Sequence, residues 1–321
     1  NPMRILSSNV RFGANSVLNN DDRIRPYQLF ERGGETFAVI GLTIANKTKN
    51  SSQPDADTVF EDELITAQDQ INQLKQQGIS RIILQTHVGY ELDQKLASNL
   101  TDVDVIIGGD SHTLLGSQSL KQVGLSPSGA YPTQVKNKEG DLVCIAQAWQ
   151  YGYVVGELNI KFDPTGRVES CAGIPHLLIG HDIKKGDVLL DDQEKISLLS
   201  KLEQANIPFK PMMPDQGALS ILKSYQADKQ AFASFKVATA EVDLCLRRVP
   251  GQLIDSNRSS IANCNRDPSV NMHGGDIQQL VAEAFYQQGK TFFNADFSIQ
   301  NGGGVRIDIP QGTEVNVATI Y

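Results

Sequence analysis

Two short stretches of the chain combine the side chains that bind metal ions. The apolar run Arg81–Thr86 (RIILQT) leads into Thr86-His87-Val88-Gly89. The run Val103–Ile107 (VDVII) leads into Gly108-Gly109-Asp110-Ser111-His112-Thr113. Imidazole and carboxylate without thiolate suit ions such as Mn, Fe or Zn. Ligand sites in open α/β sheets lie beyond the carboxyl ends of the strands. Parallel strands joined by one helix are often neighbours, about 4.8 Å apart. The spacing therefore predicts that His87 and the Asp110/His112 pair converge, with Gly108 and Gly109 allowing the sharp turn that aims them. A strand-end histidine or a Gly-Gly-Asp-Ser turn is ordinary when met alone; the conjunction carries the reading. A third stretch, Gln300-Asn301-Gly302-Gly303-Gly304-Val305-Arg306, offers backbone N–H groups that can cradle an anion. Arg306 could add a bidentate bond to phosphate, and Asn301 a hydrogen bond to a base or sugar. It lacks the Gly-Lys-Ser/Thr of a P-loop. His176 and His181 lack ligand-like company, and His273 precedes a helix start where only an anion contact is open to it.

The elements that must hold these residues alternate in the first half of the chain. Glu35–Thr43 reads as a strand, Glu61–Gln76 as a helix ended by Gly78, Arg81–Thr86 as a strand, Glu91–Leu100 as a helix and Val103–Ile107 as a strand. This order implies parallel pairing with helices over the sheet. Leu142–Trp149, Tyr153–Phe162 and Arg167–Cys171 then read as an antiparallel meander with a turn at 163–166. The stretch 191–235 reads as helical, interrupted at 208–214 (PFKPMMP), with a helix over Gln216–Phe235. Lys236–Arg247 reads as a strand, Gly275–Gln287 as a helix and Thr291–Gln300 as a strand.

The 321 residues predict about two domains. With 29 Lys+Arg against 37 Asp+Glu the net charge is −8, which argues against nucleic acid or an anionic membrane as the main partner. No apolar run is long enough to span a membrane as a helix. Cys144/Cys171 and Cys245/Cys264 form two local pairs without a C-x-x-C motif. They suit two disulfides, the first stapling the meander, or four buried thiols.

The stretches THVG (Thr86–Gly89), GGDSHTLL (Gly108–Leu115), Gln147-Ala148 with Gly152 and Val155-Gly156, and NGGGVR (Asn301–Arg306) resemble in type and order the 5′-nucleotidase family of metallophosphoesterases. The GGDSH variant resembles bacterial periplasmic members that also hydrolyse NAD-type dinucleotides. The resemblance implies an α/β fold: part of a four-layer α/β/β/α metal domain (1–212), a linking helix (213–235) and part of a smaller α+β substrate domain (236–321), with closure between them. It implies two divalent metal ions (Zn, Mn, Mg or Co). His87, Asp110 and His112 fall on ligand positions, Asp110 where the family usually has histidine, which favours harder ions. Asn301, Gly303 and Arg306 fall on nucleotide contacts, and Arg266, or Arg258, on a further phosphate contact. The family's Asn-His pair is absent, as is the base-stacking segment beyond Tyr321. The chain is therefore expected to be an internal fragment, weak or inactive without an N-terminal piece of the same protein, and periplasmic or secreted. The expected activity of the parent is metal-dependent hydrolysis of nucleotide phosphate esters, including NAD or UDP-sugar pyrophosphates. The alternatives are a non-catalytic nucleoside- or nucleotide-binding module, a cyclic-nucleotide phosphodiesterase and a sulfur-ester hydrolase.

Overall fold

Apolar, β-branched runs supply the strands of one six-stranded sheet. The computed structural model describes residues 3–52, 54–185, 188–251 and 259–320. They divide into two compact units, residues 1–213 and 214–321.

In the first unit β1 (Tyr27–Arg32) and β2 (Glu35–Thr43) form a hairpin. Its two-residue loop, Gly33-Gly34, has φ of 60° and 83°, the left-handed pair that matches strand twist. Helix α1 (Ala45–Ser52) follows. Helix α2 (Glu63–Gln76) is capped by Asp62, whose carboxylate accepts the Ile65 N–H at 3.0 Å. Strand β3 (Arg81–His87), helix α3 (Tyr90–Asn99), strand β4 (Val105–Ile107), strand β5 (Thr133–Lys136) and strand β6 (Leu142–Ala146) complete this layer. The sheet order is β1-β2-β3-β4-β6-β5, with β2, β3, β4 and β6 mutually parallel. Alternation sends Ala38, Ile40, Ile82, Leu84, Ile106, Val143 and Ile145 to one face. There they bury against Ala67, Ile71 and Leu74 of α2 and Leu96 and Ala97 of α3.

The expected meander does not form. Strand β6 pairs with β4 and β5 on its two edges. It is almost wholly buried, and a strand apolar on both faces belongs inside a covered sheet. The next strands, β7 (Val154–Phe162) and β8 (Val168–Ile179), build a separate sheet with β9 (Phe209–Pro211). Cys144 lies on the face of β6 away from α2 and α3 and bonds Cys171 of β8. This disulfide ties one sheet to the other, inside a cluster with Val168, Ile160 and Phe162. Helix α4 (Asp192–Gln204) carries a capping box between Asp191 and Glu194. Its Leu202, with Ala205 and Ile207 beyond it, packs with Val154, Leu177, Leu114 and Leu120.

In the second unit, Asp215 caps helix α5 (Gln216–Ala233). Strand β10 (Lys236–Thr239) pairs antiparallel with β11 (Glu314–Asn316), and helices α6 (Pro268–His273) and α7 (Asp276–Phe293) lie between them in sequence. The strand expected over Lys236–Arg247 stops at Thr239. Further on, side chains take the amides that a neighbouring strand would use: Asp276 accepts from Cys245, Asp308 from Leu246 and Gln278 from Arg247. The strand expected over Thr291–Gln300 is also absent. Helix α7 continues to Phe293 and ends on Asn294 at φ 52°, and the residues after it find no strand partner among the described residues.

Candidate functional site

Register carries the first candidate site. Gln85 of β3 and Ala146 of β6 both pair with Ile107, the last residue of β4. Thr86 and His87 therefore run on beside Gly108 and Gly109. The Gly89 N–H bonds the Gly109 carbonyl at 3.1 Å, joining the two strand ends. A Cβ on Gly109 would stand 3.1 Å from His87 Nδ1, tighter than ordinary van der Waals contact, so the close approach of the two loops favours glycine there. Beyond it the chain enters left-handed conformations at Asp110 (φ 73°) and His112 (φ 49°).

His87 Nε2 stands 3.5 Å from Asp110 Oδ1. The His87 side chain is 67% exposed and that of Asp110 only 13%. Lys47 of α1 forms an ion pair with the same carboxylate oxygen. His112 instead lies edge-on to the Tyr151 ring, with centroids 5.5 Å apart. The structure thus brings His87 and Asp110 together and gives His112 an aromatic neighbour. Among the described residues no group of three or more His, Cys, Asp or Glu side chains is placed to hold a metal ion. Imidazole and carboxylate donors fit a divalent cation, and two of the three expected donors, His87 and Asp110, adjoin.

Sequence reading assigned no role to three residues of this site, although Gln147 stood in one of the stretches that carry the resemblance. Lys47 carried no signal, being one of two lysines on a polar helix. Gln147, 3% exposed, bonds three groups of the Gly109–Thr113 turn. Asp93 is wholly buried under Gly108, where it accepts the Thr86 hydroxyl at 2.6 Å through Oδ1 while Oδ2 has no partner. Burial pushes its carboxyl up to about 7 against the lowering effect of Thr86. A signal existed for Asp93: it shares the helical face of Leu96, Ala97 and Leu100.

The second candidate site belongs to the second unit. Gly302–Gly304 make a single 3₁₀ turn closed by the Gly304 N–H on the Asn301 carbonyl at 3.0 Å. Arg248 Nε donates to the Val305 carbonyl at 3.3 Å, and the Arg248 carbonyl lies under Gly302. Asn301 and Arg306 are exposed, and Val305 packs with Leu246, Ile277 and Ile309. Arg266 is exposed two residues beyond Cys264, which bonds Cys245. Arg258 lies outside the described residues. Arg247, 1% exposed and bonded to Asn265 at 3.1 Å, is a buried cation that sequence reading left unremarked.

Relatives cover almost the whole chain. It is 35% identical over 320 residues to the NAD 5′-nucleotidase of Haemophilus influenzae, an alignment spanning 96% of this chain and 49% of that protein. It is 32% identical over 317 residues to a probable 5′-nucleotidase of Treponema pallidum, over 96% of this chain and 51% of that one. The chain belongs to the 5′-nucleotidase family. The family's fold is shared as well. The crystal structure of a 5′-nucleotidase precursor from Thermus thermophilus, 30% identical, matches 99% of this chain and 52% of its own at a TM-score of 0.66. The chain spans about half the length of the 5′-nucleotidases it matches over nearly its full extent. No family model matches the sequence.

Proposed function

We propose that this chain works as part of a longer 5′-nucleotidase that hydrolyses nucleotide phosphate esters with the help of divalent metal ions, and that dinucleotides of the NAD type are among its substrates. The observation that carries the reading is the meeting of His87 and Asp110 at the carboxyl ends of adjacent parallel strands, in a chain alignable to a nucleotidase over 96% of its length. His87, Asp110 and His112 are the proposed donors from this chain, with further donors supplied by the part of such proteins that this chain does not span. Bound divalent ions would activate a water and polarise the phosphoryl oxygens.

The chain's own residues do the rest. Asp110 brings negative charge to the strand ends, where Lys47 pairs with it. Asn301, the Gly303 backbone and Arg306 are proposed to hold the nucleotide, with Arg266 as a further phosphate contact. Hydrolysis adds water across a phosphorus–oxygen bond: the water oxygen bonds to phosphorus, the bond to the leaving oxygen breaks, and the proton lost by the water is returned through solvent to that leaving oxygen. Two disulfides suit an oxidising compartment, and among the described residues no helix is long and apolar enough to cross a membrane. A periplasmic or secreted location is proposed on that basis.

The test uses the longer protein carrying this chain. Phosphate release from a nucleoside monophosphate and cleavage of NAD are measured with Mn²⁺, Zn²⁺, Co²⁺ or Mg²⁺ and with a chelator. Turnover with at least one ion, abolished by the chelator, is expected. Inactivity with all four ions would overturn the proposal.

A further inference from the structure

Gln147 is the side chain around which the Gly109–Thr113 turn is built. It follows the last residue of β6 directly. Its Oε1 accepts the Thr113 N–H and, at 3.2 Å, the Ser111 hydroxyl. Its Nε2 donates to the Gly109 carbonyl at 3.3 Å. Ser111 Oγ in turn accepts the N–H of Tyr90, the first residue of α3, at 3.0 Å. The α3 N-cap is Gly89, which has no side chain to cap the helix, so the turn caps it from outside.

The turn needs this brace. Asp110 and His112 both adopt left-handed backbone conformations, which residues bearing a Cβ avoid unless their surroundings impose them. A relaxed, extended turn would carry Asp110 away from His87 and His112 away from Tyr151. Glutamine suits the task because the turn presents two donors, the Thr113 amide and the Ser111 hydroxyl, and one acceptor, the Gly109 carbonyl. We propose that Gln147 is a positioning residue for the Asp110 and His112 donors, holding their turn in its left-handed form before any ion or substrate arrives. The proposal rests on the metal-dependent reading of the site and names what arranges its donors.

The longer protein is tested as the native form, Q147L and Q147E, by Mn²⁺ titration calorimetry. Amide exchange in peptides spanning Thr113 is measured without metal. Q147L should bind Mn²⁺ about 10–100-fold more weakly, as partners of metal ligands typically do. It should also exchange faster at Thr113 and lose kcat while KM for the nucleotide stays within about twofold. Q147E keeps both acceptor interactions and should recover most of the affinity. Native Mn²⁺ affinity together with native protection at Thr113 in Q147L would overturn the proposal. Should Q147L fail to fold, Q147N, whose amide is one methylene short, is read the same way. If the native protein binds Zn²⁺, Co²⁺ or Mg²⁺ rather than Mn²⁺, the titration uses that ion; if it binds none of the four, the metal-dependent reading falls, and exchange at Thr113 alone then decides the role of Gln147.

Discussion

The strand ends that carry His87 and Asp110 and the loop that carries Asn301 and Arg306 are built by different means. The first rests on parallel strands whose inner face packs on two helices. Nineteen buried apolar residues form the cluster beneath it, and a side chain at Gly108 would run into the buried Asp93 carboxylate. The second rests on a four-residue buried cluster, a disulfide and polar ties from Asp276, Asp308 and Arg248. Packing fixes the direction of the first pair of side chains. Cross-links and hydrogen bonds hold the second site while leaving its working side chains exposed. The first arrangement suits groups that must meet within a few tenths of an ångström, and the second suits groups that capture a flexible ligand.

Substitution of the working residues should separate the two sites most sharply. In the longer protein, His87→Ala should lower kcat about 100-fold or more, since even partners of metal ligands cost up to that much. Arg306→Ala should raise KM roughly tenfold, the worth of one charged hydrogen bond, with a smaller change in kcat. Steady-state phosphate release measures both. Equal losses of kcat would erase the proposed division of labour.

Removing the cross-links comes next. The paired change Cys245→Ala with Cys264→Ala should cost about 3 kcal/mol, and it removes a main support of the second unit. Nucleotide affinity should fall with it. The pair Cys144→Ala with Cys171→Ala should cost a similar amount in denaturant unfolding while leaving nucleotide affinity near its native value. A loss of affinity from both pairs alike would contradict the comparison.

A glycine pair tests packing directly. A Cβ on Gly108 would run into the buried Asp93 carboxylate, whereas on Gly302 its nearest neighbour is the Arg248 carbonyl at 3.2 Å. Gly108→Ala should cost about 1–3 kcal/mol as an overpacking change and Gly302→Ala about 0.5 kcal/mol. Thermal unfolding of the two variants distinguishes these values, and the reverse order would mean that the second loop is the more tightly packed.

The smallest effect, read per pH unit, separates the units by acidity. Burial raises both Asp93 and Asp104 to about 7. A carboxyl raised on folding holds its proton longer in the native state than in the unfolded chain. Its contribution to stability is therefore whole below about pH 4 and lost as pH rises to about 7, by about 1 kcal/mol per unit for each group. Asp93→Asn should flatten its share of that slope in urea unfolding at pH 5, 6 and 7. An unchanged slope would show that Asp93 ionises normally.

Much of the first unit was legible. Helix α2, the strand Arg81–His87 and the turn after Ile107 follow from periodicity, a helix-ending glycine and paired glycines, which are local signals, while the cap at Asp62 was read as part of the helix. The hairpin strand β1 was missed because its burial is half-hearted along its length. The meander was misread because Leu142–Ala146 carries no mark of which sheet it joins; its neighbours in space come from Val105–Ile107 and Thr133–Lys136. In the second unit the strand expected after α7 failed because apolar residues such as Phe297 and Ile299 suggest a strand but cannot supply its partner.

The sequence by itself determined which residue types stand at the ends of β3 and β4, since strand ends and glycine turns are written in neighbouring residues. It also narrowed the four cysteines to two local pairs. Tertiary structure alone decided that Cys144–Cys171 joins two sheets, that Lys47 comes to Asp110, that His112 meets Tyr151, and that Gln147 and Asp93 lie under the turn. Each of these contacts joins segments from different elements, and their meeting depends on strand register and layer order, which no local pattern encodes.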